Sequence, residues 1–160
     1  MQLATLCYLQ KDNHTLMLHR NKKDKDIHNG KWNGLGGKLE QGETPEAGVI
    51  REVQEESGLT IVKPILAGIL TWPMFDGKQD WYAFAYRATE FSGELTDDCP
   101  EGTLEWIPNE RVCSLKLWEG DYIFLPWILQ RRFFSAKFDY VEGILKEHSV
   151  AFYPQIDAVR

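Results

Sequence analysis

The stretch GKLEQGETPEAGVIREVQEESGL, residues 37–59, decides how this chain is read. Thr44 offers an N-cap oxygen, Pro45 occupies a first helical position where a missing N–H is no loss, and Glu46 favours the positive end of the dipole. Val49, Ile50 and Val53 form an apolar stripe, and Gly58 suits the left-handed residue that ends a helix. Together these features predict a helix over about residues 45–57. On that helix Glu52, Glu55 and Glu56 fall at i, i+3 and i+4. Three carboxylates then crowd an arc of about 100° and repel one another unless a cation lies between them. A hard divalent ion, Mg²⁺ or Mn²⁺, answers that repulsion, because it takes oxygen ligands, keeps waters and shares positions with phosphate oxygens.

Just ahead of the helix, Gly34, Leu35, Gly36, Gly37, Lys38 and Leu39 put glycines where backbone approaches a ligand closely or turns sharply. A plain strand-to-loop turn accounts for the same glycines; their place one loop before the acids favours a binding role. Farther out the chain reads as alternating short strands and loops. Leu3–Gln10 and Thr15–Arg20 form a hairpin around Lys11–His14, and Asn21–Gly30 is a charged loop. Thr60–Trp72 and Asp80–Ala88 read as strands flanking a turn at Phe75–Lys78, followed by an acidic loop Thr89–Gly102 and a strand Leu104–Ile107. Asp121–Phe134 suits a buried helix with Pro126 at a late start or in the first turn, and Lys137–Phe152 gives one or two strands. Strands at both ends with two helices between them predict an α/β fold, a mixed sheet covered on two faces.

Composition narrows the function. At 160 residues the chain is read as one domain over 1–160. A net charge of −6 is wrong for gripping a nucleic-acid polymer, while free nucleotides stay compatible because metal ions neutralise their phosphates. The start MQLATLCYLQ lacks a basic region and a long apolar run, and no segment approaches 18 uninterrupted apolar residues, so a cytoplasmic protein without membrane partners is expected. Cys7, Cys99 and Cys113 lack disulfide or zinc spacing and read as small buried hydrophobes. His14, His19, His28 and His148 read as surface or packing residues.

Seven fixed residues (Gly37, Glu43, Arg51, Glu52, Glu55, Glu56, Gly58) and the apolar Val53 and Leu59 match G-x5-E-x7-R-E-U-x-E-E-x-G-U, with U apolar, a coincidence on the order of 10⁻⁷ by average residue usage. The segment resembles the Nudix box, the signature of hydrolases that cleave a nucleoside diphosphate linked to another group. The resemblance implies an α/β/α sandwich and attack of water on a diphosphate bridge. It makes Glu52, Glu55 and Glu56 metal ligands, one of them also the base, with the Gly36 carbonyl a further ligand, and Arg51 orients the carboxylates. Glu43 is a structural partner in the same loop. Related enzymes add an acid from a later loop, for which Glu101 is the candidate. Lys31–Lys38 and the run Leu117-Trp118-Glu119-Gly120-Asp121 are similar to MutT-type sanitisers of oxidised purine nucleoside triphosphates. That likeness makes Asn33, Trp118 and Asp121 the base-reading residues. Gly36, Gly37 and Lys38 are further substrate-binding candidates, and Thr5 and Arg20 match polar contacts near the sugar and phosphates. Where the pattern has two adjacent acids, this chain has Gly120 and Asp121, so acceptance of oxidised adenine is in question. Trp72 and Phe75 are expected in the core or at the pocket rim. The expected activity is Mg²⁺-dependent conversion of 8-oxo-dGTP to the monophosphate and pyrophosphate, by a monomer or homodimer. The alternatives are another nucleoside diphosphate derivative, or a non-catalytic nucleotide-sensing domain.

Overall fold

The computed structural model describes residues 1–154, so the last six positions of the expected 1–160 domain lie outside the described residues. The elements run β1 (Gln2–Lys11), β2 (His14–His19), β3 (Trp32–Asn33), α1 (Pro45–Ser57), β4 (Thr60–Val62), β5 (Ile65–Trp72), β6 (Trp81–Ala88), β7 (Glu90–Ser92) and β8 (Thr103–Pro108). A 3-10 helix (Asn109–Ser114), α2 (Asp121–Leu129), β9 (Phe133–Val141) and β10 (Ile144–Tyr153) complete the chain. Eight strands form one mixed sheet in the order β10-β9-β5-β6-β1-β2-β3, with β8 also on β2; β1 lies parallel to β6, and β5 parallel to β9.

A core fills each face. On one side Val49 and Val53 of α1 pack with Cys7, Leu9, Leu16, Leu35 and Tyr86. On the other, Phe124, Leu125 and Ile128 of α2 pack with Tyr8, Met17, Leu70, Phe134 and Phe138. Tyr8 and its neighbours Cys7 and Leu9 thus serve opposite faces, as the twofold alternation of a strand requires. This is the expected α/β/α sandwich. No helix among the described residues is long and apolar enough to cross a membrane.

The sheet opens where the site forms. β1 and β2 pair only at Gln10–Thr15 and Lys11–His14 and then diverge. The glycine-rich strip after β3 fills the split. Cys7 N–H donates to the Leu35 carbonyl at 2.6 Å, Leu35 N–H to the Cys7 carbonyl at 3.0 Å, and Thr5 N–H to the Gly37 carbonyl at 2.8 Å.

Several boundaries differ from expectation. Thr60–Trp72 is two strands, because Lys63 has φ 51° ahead of Pro64 and β4 leaves to pair with β7, itself inside the stretch read as loop. The second helix stops at Leu129 rather than Phe134, where Arg131 turns left-handed at φ 58° and Phe133 begins β9. Pro126 lies inside α2, not in a first turn. It costs the ladder one donor, which the apolar packing of Phe124, Leu125 and Ile128 offsets. The final strands extend from Phe133 to Tyr153. Cys113 is exposed, unlike the buried Cys7 and Cys99.

Candidate active site

Helix α1 begins as its sequence dictates: the Thr44 hydroxyl accepts from Ala47 N–H at 3.0 Å, and Gly58 closes the helix at φ 78°. Its acids face the glycine strip. Glu56 is buried, and its Oε1 accepts from Gly36 N–H at 2.7 Å. The Glu52 carboxylate lies so close to Gly37 that a Cβ there would sit 2.6 Å from it. Gly36 is equally constrained, since its φ of 153° is combined with a Cβ position inside the Thr5 carbonyl. Backbone can pass between β1 and the acids only as glycine.

Arg51 organises the exposed side of these acids. Its Nε and NH2 fork onto Glu43 at 2.7 and 2.9 Å, its NH1 donates to Glu52 at 2.8 Å and Glu55 at 3.3 Å, and NH2 also reaches the Lys38 carbonyl at 3.1 Å. The guanidinium holds the Glu43 carboxyl down at about 2, helped by Glu40 N–H. Glu55 stays on this outer side, its side chain 56% exposed. Glu52 and Glu56 therefore converge on Gly36–Gly37, while Glu55 stands with Arg51.

Glu56 is pushed up to about 8, chiefly by burial and further by the charges of Glu52 and Glu101. Glu101 lies within electrostatic reach of Glu56 but is engaged with Arg20 at 2.9 Å and Lys23 at 3.1 Å. Among the described residues no three His, Cys, Asp or Glu side chains stand gathered as a ready-made metal cage. The donor set nonetheless fits a hard divalent cation. It is all oxygen, it includes a buried carboxylate destabilised by like charges, and the Gly36 carbonyl receives no hydrogen bond from a described residue. Magnesium sites draw on one or two carboxylates plus substrate phosphates, so an open arrangement suits them.

On the α2 side of the strip a pocket of about 230 Å³ opens, lined by Thr5, Arg20, Ile27, His28, Asn33, Gly36, Gly37, Trp72, Phe75, Trp81, Trp118, Asp121 and Tyr140, among others. Gly36 and Gly37 border both the pocket and the acids. The Asn33 Oδ1 is buried without a partner among the described residues, an arrangement that calls for a donor from elsewhere. Asp121 is buried at the start of α2, and burial alone pushes its carboxyl up to about 8, so it is held neutral at pH 7. Trp118 lies edge-on to Phe75 and Tyr140, with Lys31 Nζ 4.4 Å over its ring. Thr5 Oγ1 lies 3.5 Å from the Gly37 carbonyl. Lys38 is not among the lining residues; its Nζ lies 5.6 Å over Trp81. Arg20 lines the pocket, but its guanidinium is taken by Asp26 and Glu101.

Position 120 has a steric reason for its glycine. A Cβ there would lie 2.8 Å from the Tyr140 hydroxyl and 2.9 Å from Phe138, and Gly120 N–H already donates to that hydroxyl at 2.7 Å.

Residues 1–128 match the model of the NUDIX domain. The chain belongs to the Nudix family. It is a MutT-type Nudix hydrolase, 32% identical over 133 residues to the Nudix hydrolase YvcI of Bacillus subtilis, covering 81% of this chain and 80% of that protein. It is 30% identical over 122 residues to the oxidized purine nucleoside triphosphate hydrolase of Danio rerio, across 76% of this chain and 78% of the other. The crystal structure of a MutT protein from Bacillus halodurans superposes with a TM-score of 0.83 at 32% identity, spanning 98% of this chain and all of that one. Nudix hydrolases act on small nucleotide substrates and generally need divalent cations.

His28 was missed in the sequence. Read there as a surface or packing residue, it folds back to line the pocket, and its Nδ1 lies 2.8 Å from Trp118 Nε1. Tyr140 and Trp81 also line it without any local signal.

Proposed function

We propose that this Nudix hydrolase cleaves oxidised purine nucleoside triphosphates, 8-oxo-dGTP foremost, to the monophosphate and pyrophosphate with Mg²⁺. One observation carries the reading: an aromatic pocket holding the orphaned Asn33 oxygen and the neutral Asp121 carboxyl shares its lip, Gly36–Gly37, with Glu52 and Glu56. The relative from Danio rerio, named for that activity, supports it.

In this reading Asn33 and Asp121 meet the donor and acceptor edge of the base, Asp121 as a hydrogen-bond donor because it is protonated. Trp118 and Phe75 enclose the ring and exclude water. Thr5 and Arg20 border the sugar and phosphates, with Lys38 at the outer edge. Glu52 and Glu56 hold the metal with the Gly36 carbonyl, Glu55 and Glu101 complete the acidic surround, and one of the α1 acids takes the proton of the attacking water. Arg51 fixes the orientation of Glu52 and Glu55. A bound divalent cation supplies charge neutralisation on the diphosphate.

The test is a panel of kcat/KM values at fixed Mg²⁺. Oxidised dGTP is expected to exceed dGTP at least tenfold, about 1.4 kcal/mol, and oxidised adenine nucleotides to trail it. Parity between oxidised dGTP and dGTP overturns the reading.

A further inference from the structure

We propose that His28 reads the base: its Nε2–H donates to the oxo oxygen that distinguishes an oxidised purine from its parent, a role that rests on the substrate class given above. The tautomer follows from its partner. An indole N–H only donates, so His28 Nδ1, 2.8 Å from Trp118 Nε1, is the acceptor, and the proton of the neutral ring lies on Nε2. Burial, with Arg20 adding, pushes the imidazole down to about 4, which keeps it neutral. Nε2 has no hydrogen-bond partner among the described residues, although the side chain lines the pocket with Asn33 and Asp121.

The ring is held in place. It lies parallel to Phe75, centroids 6.2 Å apart at 9°, and edge-on to Trp118 at 5.6 Å and 80°. Its backbone N–H donates to Asp26 Oδ1 at 3.0 Å, and Arg20 grips the other Asp26 oxygen at 2.7 Å. A donor fixed this way is organised before any ligand arrives, which is what makes one hydrogen bond discriminating. The oxidised ring carries a carbonyl where the parent carries C–H, so only the oxidised ring offers this donor that acceptor.

The experiment compares wild type, His28→Phe and His28→Gln on 8-oxo-dGTP and dGTP at fixed Mg²⁺. Phe keeps a flat ring against Phe75 but has neither the donor nor the acceptor that Trp118 Nε1–H uses, so kcat/KM for 8-oxo-dGTP is expected to fall about tenfold more, through KM, than that for dGTP. Gln, which restores an N–H, is expected to recover most of the loss. If Phe lowers both substrates equally, or neither, His28 only packs against Trp118 and the proposal fails. A wild type without preference for the oxidised nucleotide instead retires the substrate reading itself. Nitrogen-15 imidazole spectra of the wild type give an independent arm: the Nε2–H tautomer supports the assignment and the Nδ1–H tautomer overturns it, whether or not a variant folds.

Discussion

Burial keeps Glu56 protonated until about pH 8, while the Gly36 N–H favours its charged form, so in the absence of a cation this side chain sits where its charge is costly. Glu56→Gln keeps an acceptor for Gly36 and can never take on that charge. Its melting midpoint should match or exceed wild type, and turnover should fall about 10²-fold or more, read by single-turnover kinetics; near-normal turnover removes Glu56 from the proposed machinery. Asp121 gives a pH signature. Its carboxyl is raised to about 8 from an ordinary 3.8, so between those values the folded state binds a proton that the unfolded chain lacks, and stability falls as pH rises. Asp121→Asn removes that slope. The variant should gain on wild type in denaturant midpoint from pH 4 to pH 8, with the difference level above and below; a pH-independent difference means Asp121 is solvated. Glu52 and Glu56 were legible because their spacing on α1 is local, whereas Glu55, expected beside them, is drawn outward to Arg51. His28 was not legible, because a lone histidine in a charged loop gives no sign that Arg20 and Asp26 will turn it toward Trp118.

At the scale of elements, α1 was readable to the residue, since Thr44, Pro45 and Gly58 each set a boundary by a local mechanism. Thr44→Ala should cost about 1 kcal/mol, roughly 2–4 °C in melting midpoint, and leave substrate preference unchanged. A loss of preference at constant stability would mean that the cap does more than start the helix. Other boundaries were hidden because apolar content does not report chain direction. Thr60–Trp72 is a mix of β-branched and other apolar residues on both sides of the left-handed Lys63 ahead of Pro64, where it splits. Asp121–Phe134 is equally apolar, yet Arg131 reverses the chain so that Phe133 and Phe134 enter β9. β3 is two residues long and pairs with β2 only at Leu18 and His19, below what any periodicity reveals.

For the whole molecule, the two-faced sheet separates labour: α1 brings the acids on one side, Asp121 of α2 and Tyr140 of β9 help wall the pocket on the other, and the strip in the β1–β2 split joins them. The mixed sheet followed from composition and order; the split did not, since it depends on where two strands stop pairing. Ligand linkage is therefore global. Mg²⁺ with a non-hydrolysable analogue of the oxidised nucleotide at about 100 times its Kd should stabilise the protein by about 2.7 kcal/mol, a rise of roughly 5–10 °C. EDTA should cancel the cation's share of that rise, and a rise unaffected by EDTA would separate binding from the metal. The contact between Gly120 and Tyr140 also sets an order on sequence change. An aspartate introduced at 120 alone strikes the phenol and the Phe138 ring, and a trimmed residue 140 removes only the first of these clashes. A lineage acquiring neighbouring acids at this corner thus has a passable path only after both the phenol and the Phe138 ring have given way, and these replacements will be strongly epistatic.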